Sequence, residues 1–136
     1  RHILVGVGMN SVQKHWQEWG MFDKGWQPLG HFHSTPVQLA VERGIPTLIL
    51  ALAILFCFAR LFWSGLRDAR TGDRRRFALL LGASGALCGF TTSGLVHWNL
   101  GDAEVAMVFF LIMALGVSVA RRSDDTVTLE DREFSR

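Results

Sequence analysis

The stretch Gly30-His31-Phe32-His33-Ser34-Thr35-Pro36-Val37-Gln38-Leu39-Ala40-Val41-Glu42-Arg43-Gly44-Ile45-Pro46-Thr47 decides how this chain folds. It opens as a polar loop with two histidines. Thr35 then stands where an N-cap belongs, Pro36 at the first helical position and Gln38 at the third. Thr-x-x-Gln is a capping box, and a proline at the first helical position loses no hydrogen bond the helix needs. A short helix is therefore expected from Thr35. Gly44 and Pro46 interrupt it, because proline lacks a donor and crowds the preceding turn. From Ile45 onward the chain turns apolar, so this reading puts His33 at the lip of a membrane.

Working outward, Ile45 to Trp63 (IPTLILALAILFCFARLFW) would reach roughly 28 Å as a helix, close to the thickness of a bilayer core. Its one charge, Arg60, lies near the end and can snorkel outward. Residues 64–76 form a loop carrying Arg67, Arg70, Arg74, Arg75 and Arg76. A second span follows over 77–96, rich in small residues, where Gly85-x-x-x-Gly89 permits close helix contact and Thr91, Thr92 and Ser93 are expected to face protein. A tight turn at 97–102 leads to a third span over 103–120, with Asp102 as its cap and Glu104 in its first turn. Arg121 and Arg122 close that span and open a cytoplasmic tail, 121–136, which from Ser123 is charged, lacks apolar periodicity and is expected to be disordered. Both arginine clusters belong inside by the positive-inside rule. Residues 1–44 and the turn at 97–102 then share the outer face, with His33, His97, Asp102 and Glu104 on one surface.

Upstream, Val12, Trp16 and Trp19 share one face of an expected helix from Asn10 or Ser11 to Trp19. A tryptophan-rich amphipathic helix suits the headgroup layer, as does Trp26 in the loop from Met21 to Phe32. Residues 1–8 (RHILVGVG) read equally as the end of a preceding span or as a short buried strand or loop.

The 136 residues are 49% hydrophobic with a mean hydropathy of +0.24, and the excess is gathered in three blocks. The fold class is therefore all-α integral membrane, with short amphipathic helices in an outer loop. A net charge of +2 is too small to argue for nucleic acid. Cys57 and Cys88 lie inside apolar blocks without close partners, so no disulfide or zinc framework is expected. His31 and His33 lack a third ligand nearby, so neither a metal nor another cofactor is expected. Beginning on Arg1, the chain reads as the C-terminal piece of a longer protein.

His33-Ser34, nine residues, Gly44, two residues and Thr47 match the motif of the O-antigen ligase family. That motif is His, then Asn, Ser or Gln, then nine positions, Gly, two more, and Gly, Thr or Tyr. Over residues 3–120 the chain resembles this family, also through GVG near its start and GLVHWNLGDAEVAMVFF near its end. Pro46-Thr47 in place of Pro-Gly and Ser34 in place of Asn depart from the commoner wording.

The resemblance implies the C-terminal part of a polytopic GT-C-like glycosyltransferase of the bacterial inner membrane, its His motif on the periplasmic side. Such enzymes move a glycan from undecaprenyl pyrophosphate to lipid A–core or another glycan or protein acceptor. The family's histidine falls on His33, the implied base. His31, Ser34, Arg43 and Asp102 are candidate substrate contacts, and Thr35, Gln38, Gly44, Pro46 and Thr47 form the structural motif. Alternatives are an O-antigen polymerase or protein O-oligosaccharyltransferase of the same family. Another is a membrane transporter of the inorganic-carbon type, although the centres of all three spans lack Asp, Glu, Lys and His.

Overall fold

The computed structural model describes residues 2–21 and 30–133. The loop expected around Trp26 lies outside the described residues. All regular structure among the described residues is helical: α1 (Ser11–His15), α2 (Thr35–Arg43), α3 (Ile45–Ala69), α4 (Arg74–Val96) and α5 (Ala103–Glu133). Three helices are long and apolar enough to cross a membrane: Ile45–Ala69, Arg74–Val96 and the Ala103–Arg121 part of α5. The chain divides into two compact units, Arg1–Ile54 with Phe90–Ala106, and Leu55–Gly89 with Met107–Arg136.

In the first unit, α2 ends at Gly44, where the expected break falls. Gly44 has φ +85°, and its N–H still donates to the Ala40 carbonyl (3.1 Å). Pro46 then lies in the first turn of α3, where a missing N–H leaves nothing unpaired. The carbonyls left open at the end of α2 are met from two directions. Thr47 Oγ1 donates to the Arg43 carbonyl at 3.0 Å. Val7 and Gly8 donate their N–H groups to the carbonyls of Val41 (2.8 Å) and Glu42 (3.1 Å), and Ile45 N–H reaches back to the Ile3 carbonyl (2.9 Å).

Residues 2–8 are thus a loop laid across the α2–α3 junction. It is not a buried strand, since Ile3, Leu4 and Val5 are exposed. Backbone packs directly on backbone here. A Cβ on Gly6 (φ +71°) would overlap Glu42, and one on Gly44 would overlap Leu4.

The capping box expected at Thr35 is replaced by a different arrangement. The N-cap is Ser34, and its side chain makes no capping bond. Thr35 is already helical. Its hydroxyl donates to the His97 carbonyl (2.8 Å) and accepts from Asn99 N–H (3.1 Å). Gln38 reaches back as the motif requires, but its Oε1 accepts from Phe32 N–H (2.7 Å). Buried Asn99 completes the latch by donating to the Phe90 carbonyl (2.9 Å) and accepting from Ser93 (3.3 Å). Ser93 makes this bond, yet residues 91–93, expected to face protein, are all exposed.

α1 is shorter than expected. It stops at His15, and residues 16–20 form turns in which Trp19 N–H donates to the His15 carbonyl. Val12 is buried while Trp19 is exposed, so the anticipated common face is only partly formed.

The second unit is helix packed on helix. Its core is Phe62, Leu80 and Met113, each essentially inaccessible. In lipid, apolar burial does not by itself drive helices together, so close approach at small residues has to. The glycines that provide it are not the pair singled out in the sequence. Gly85 and Gly89 are exposed, with nothing packed on the side where a Cβ would sit. Gly65 is buried, and a Cβ there would come within 2.8 Å of Leu80 Cδ1; one on buried Gly116 would come within 2.6 Å of the Phe62 ring.

The spans also end differently. α3 runs six residues past Trp63, because Gly65 and Ala69 are buried in this packing. α4 begins at Arg74, where the Asp73 carboxyl accepts from Arg76 N–H (2.9 Å). The Arg76 guanidinium donates to the carbonyls of Val119 (3.2 Å) and Ala120 (2.9 Å). α5 continues to Glu133, which corrects the disordered tail expected from Ser123. No glycine or proline stands between Ala120 and Glu133 to stop it.

Candidate functional site

The first unit gathers the loop before α2, the start of α3, the turn after α4 and the start of α5. The Thr35–Asn99 latch ties the first of these to the third. As a result His33 and His97, far apart in sequence, stand with ring centroids 6.3 Å apart, and His31 lies 5.2 Å from His33. His33 is exposed to solvent, as a group that must meet an incoming substrate has to be. His97 Nε2 lies 3.9 Å from Asp102 Oδ2, beyond hydrogen-bond length. Both side chains are largely exposed, so the pair orients His97 weakly. Among the described residues no group of three His, Cys, Asp or Glu is arranged to hold a metal ion.

Beside the histidines is a cleft of about 550 Å³, a volume within the roughly 300–1,000 Å³ usual for small-molecule sites. His31, His97, Arg43 and Asp102 line it. So do Gln38 and Glu42, one turn apart on the buried side of α2. Arg43 is exposed, and no ion pair joins it to Glu42 among the described residues. Among the described residues it is the only lysine or arginine lining the cleft.

The candidates His31, Arg43 and Asp102 are therefore brought together, with His33 adjoining through its two neighbours. Ser34 serves as the extended residue before α2, with φ −163°. Thr35, Gln38, Gly44 and Thr47 hold the scaffold by the bonds described above, and Pro46 starts α3. Glu104 is exposed and does not join the group.

Sequence reasoning missed Glu42, Asn99 and Trp98 as parts of the site. Gln38 and Glu42 were detectable as polar residues four apart on a short helix, which share a face. Which face is buried was not detectable.

The three apolar helices are those of a multi-pass membrane protein, and the first unit adds a polar, histidine-bearing cleft. Compared with known proteins, the chain matches no family model, no curated protein and no solved structure.

Proposed function

We propose that this chain carries the acceptor-activating part of an O-antigen ligase-like glycosyltransferase. It would transfer a glycan from undecaprenyl pyrophosphate to lipid A–core or a similar acceptor at the periplasmic face of the inner membrane. The observation that carries this reading is the exposed His33, held by the latch beside His97 and a polar cleft, in the first unit together with the start of α3. The motif around it also has physical sense. Its glycine falls on Gly44, a position with φ +85° and no room for a side chain.

The reaction needs little beyond positioning and one proton acceptor. His33 takes the proton of an acceptor hydroxyl as that oxygen bonds to the anomeric carbon. The bond from that carbon to the diphosphate breaks, and undecaprenyl pyrophosphate departs with the electron pair. Arg43 is the cleft cation available to the diphosphate, a role read by the donor KM of Arg43→Ala. Helix α3, 25 residues and about 37 Å long, exceeds a bilayer core of about 30 Å. In this reading, residues 67–76, with five arginines, lie on the cytoplasmic side, away from His33. A polymerase or a protein O-oligosaccharyltransferase would use the same chemistry on another acceptor.

The test is transfer in a strain lacking its own ligase, complemented with the wild-type protein or with His33→Gln. A loss of about 10²–10⁴ in transfer rate is expected. Near-normal transfer by the variant would remove the base role.

A further inference from the structure

Glu42 is a residue that the scaffold alone does not explain. It is 7% exposed, and its Oε1 is fully buried with no hydrogen-bond partner among the described residues. A buried polar atom left unpaired costs roughly 1–3 kcal/mol, and an apolar residue of similar shape would avoid that. Its neighbour one turn back is treated differently. Gln38 is equally buried, yet its Oε1 is satisfied by Phe32 N–H. The backbone of Glu42 is held on both sides, since its carbonyl accepts from Gly8 N–H and Gly6 packs against it. The side chain is thus fixed in direction, and it lines the cleft.

We propose that Glu42 is a substrate-binding residue whose buried Oε1 accepts a hydrogen bond from a sugar hydroxyl of the glycan acceptor. This rests on the ligase reading given above. The rest of the cleft fits such a ligand. Gln13 and Gln38 offer amides, and Trp98 offers an aromatic surface for the apolar face of a sugar ring. Two carboxyl groups, Glu42 and Asp102, line the same space as Arg43 and disfavour a diphosphate seated directly against Glu42. The acceptor sugar therefore suits this part of the site better than the donor's pyrophosphate does. Hydroxyl groups are donors of the kind the carboxyl oxygen lacks.

The test compares the purified full-length protein in detergent with its Glu42→Met and Glu42→Leu variants, by thermal unfolding with and without lipid A–core. Without lipid A–core, Glu42→Met should melt at or above the wild-type temperature. With lipid A–core, the wild type should gain stability, and both variants should lose most of that gain. In the transfer assay the KM for lipid A–core should rise about ten- to hundredfold, with the donor KM unchanged. Glu42→Leu likewise carries no acceptor oxygen and covers the case in which the methionine variant does not fold.

The inference is overturned if lipid A–core leaves the wild type unmoved, or if the variants keep the full gain. It is also overturned if Glu42→Met melts lower and binds normally. The two readings separate cleanly. Binding through Glu42 with no transfer by the wild type sinks the ligase reading alone. Transfer lost in His33→Gln, with Glu42 variants binding as wild type, sinks this inference alone.

Discussion

Glycine is used in opposite ways in the two units. In the first, Gly6 and Gly44 have φ +71° and +85° and let one stretch of backbone lie on another. In the second, Gly65 and Gly116 are ordinary helical residues that receive Leu80 and Phe62 from neighbouring helices. The first unit is held by directed bonds between loops and helix ends: Thr35 to His97 and Asn99, Gln38 to Phe32, Val7 and Gly8 to the end of α2. The second is held mostly by shape, with Arg76 on α4 adding bonds to the carbonyls of Val119 and Ala120 on α5. Hydrogen bonds fix direction as well as distance, which a reacting site requires. Packing at small residues fixes only how near two helices come, and that suffices for a membrane scaffold.

The contrast can be broken or sharpened by substitution. The largest effect belongs to His33→Gln. It should remove about 10²–10⁴ of transfer rate while leaving the melting temperature unchanged, since the side chain is exposed. A drop in both would show a structural role instead. Next is Gly44→Ala, which needs a left-handed backbone and room that Leu4 occupies. It should destabilise by about 2–4 kcal/mol, read by denaturation in detergent, and should lower transfer as well.

Gly116→Ala presses a methyl group onto the buried Phe62 ring and should cost about 1–3 kcal/mol. Its transfer rate per folded molecule should stay normal, unlike that of Gly44→Ala. Thr35→Val removes the two latch bonds that Thr35 makes. A cost of about 1–2 kcal/mol is expected in the same melt, together with a raised acceptor KM as His97 drifts from His33. The smallest effect is that of Gly85→Ala, within about 0.5 kcal/mol, because nothing packs where its Cβ would go. A larger cost would mean that the glycine pair seen in the sequence is the working contact after all.

The parts legible in the sequence were those written in local chemistry. Proline at a helix start, glycine at its end and long apolar runs placed α2, the break at Gly44 and three spans to within a few residues. What was not legible depended on partners distant in the chain. Thr35 looked like a cap, and nothing local reveals that its hydroxyl is claimed by His97 and Asn99. Gly85 and Gly89 had the right spacing, but spacing does not say which side of α4 meets another helix. The ends of α3 and α5 were misplaced because hydropathy reports where lipid stops, and a helix stops only where its hydrogen bonding does. Within the candidate site, His33 was singled out by its motif. Glu42 was not, because its burial is decided by which side of α2 faces the unit.

Gly44 has one more consequence. With the Leu4 backbone resting against it, the position admits no side chain of any size. The junction between α2 and the first span therefore cannot be altered in small steps. A change at Gly44 has to arrive with a matching retreat of the residues around Leu4, so these two remote stretches are bound to vary together or not at all.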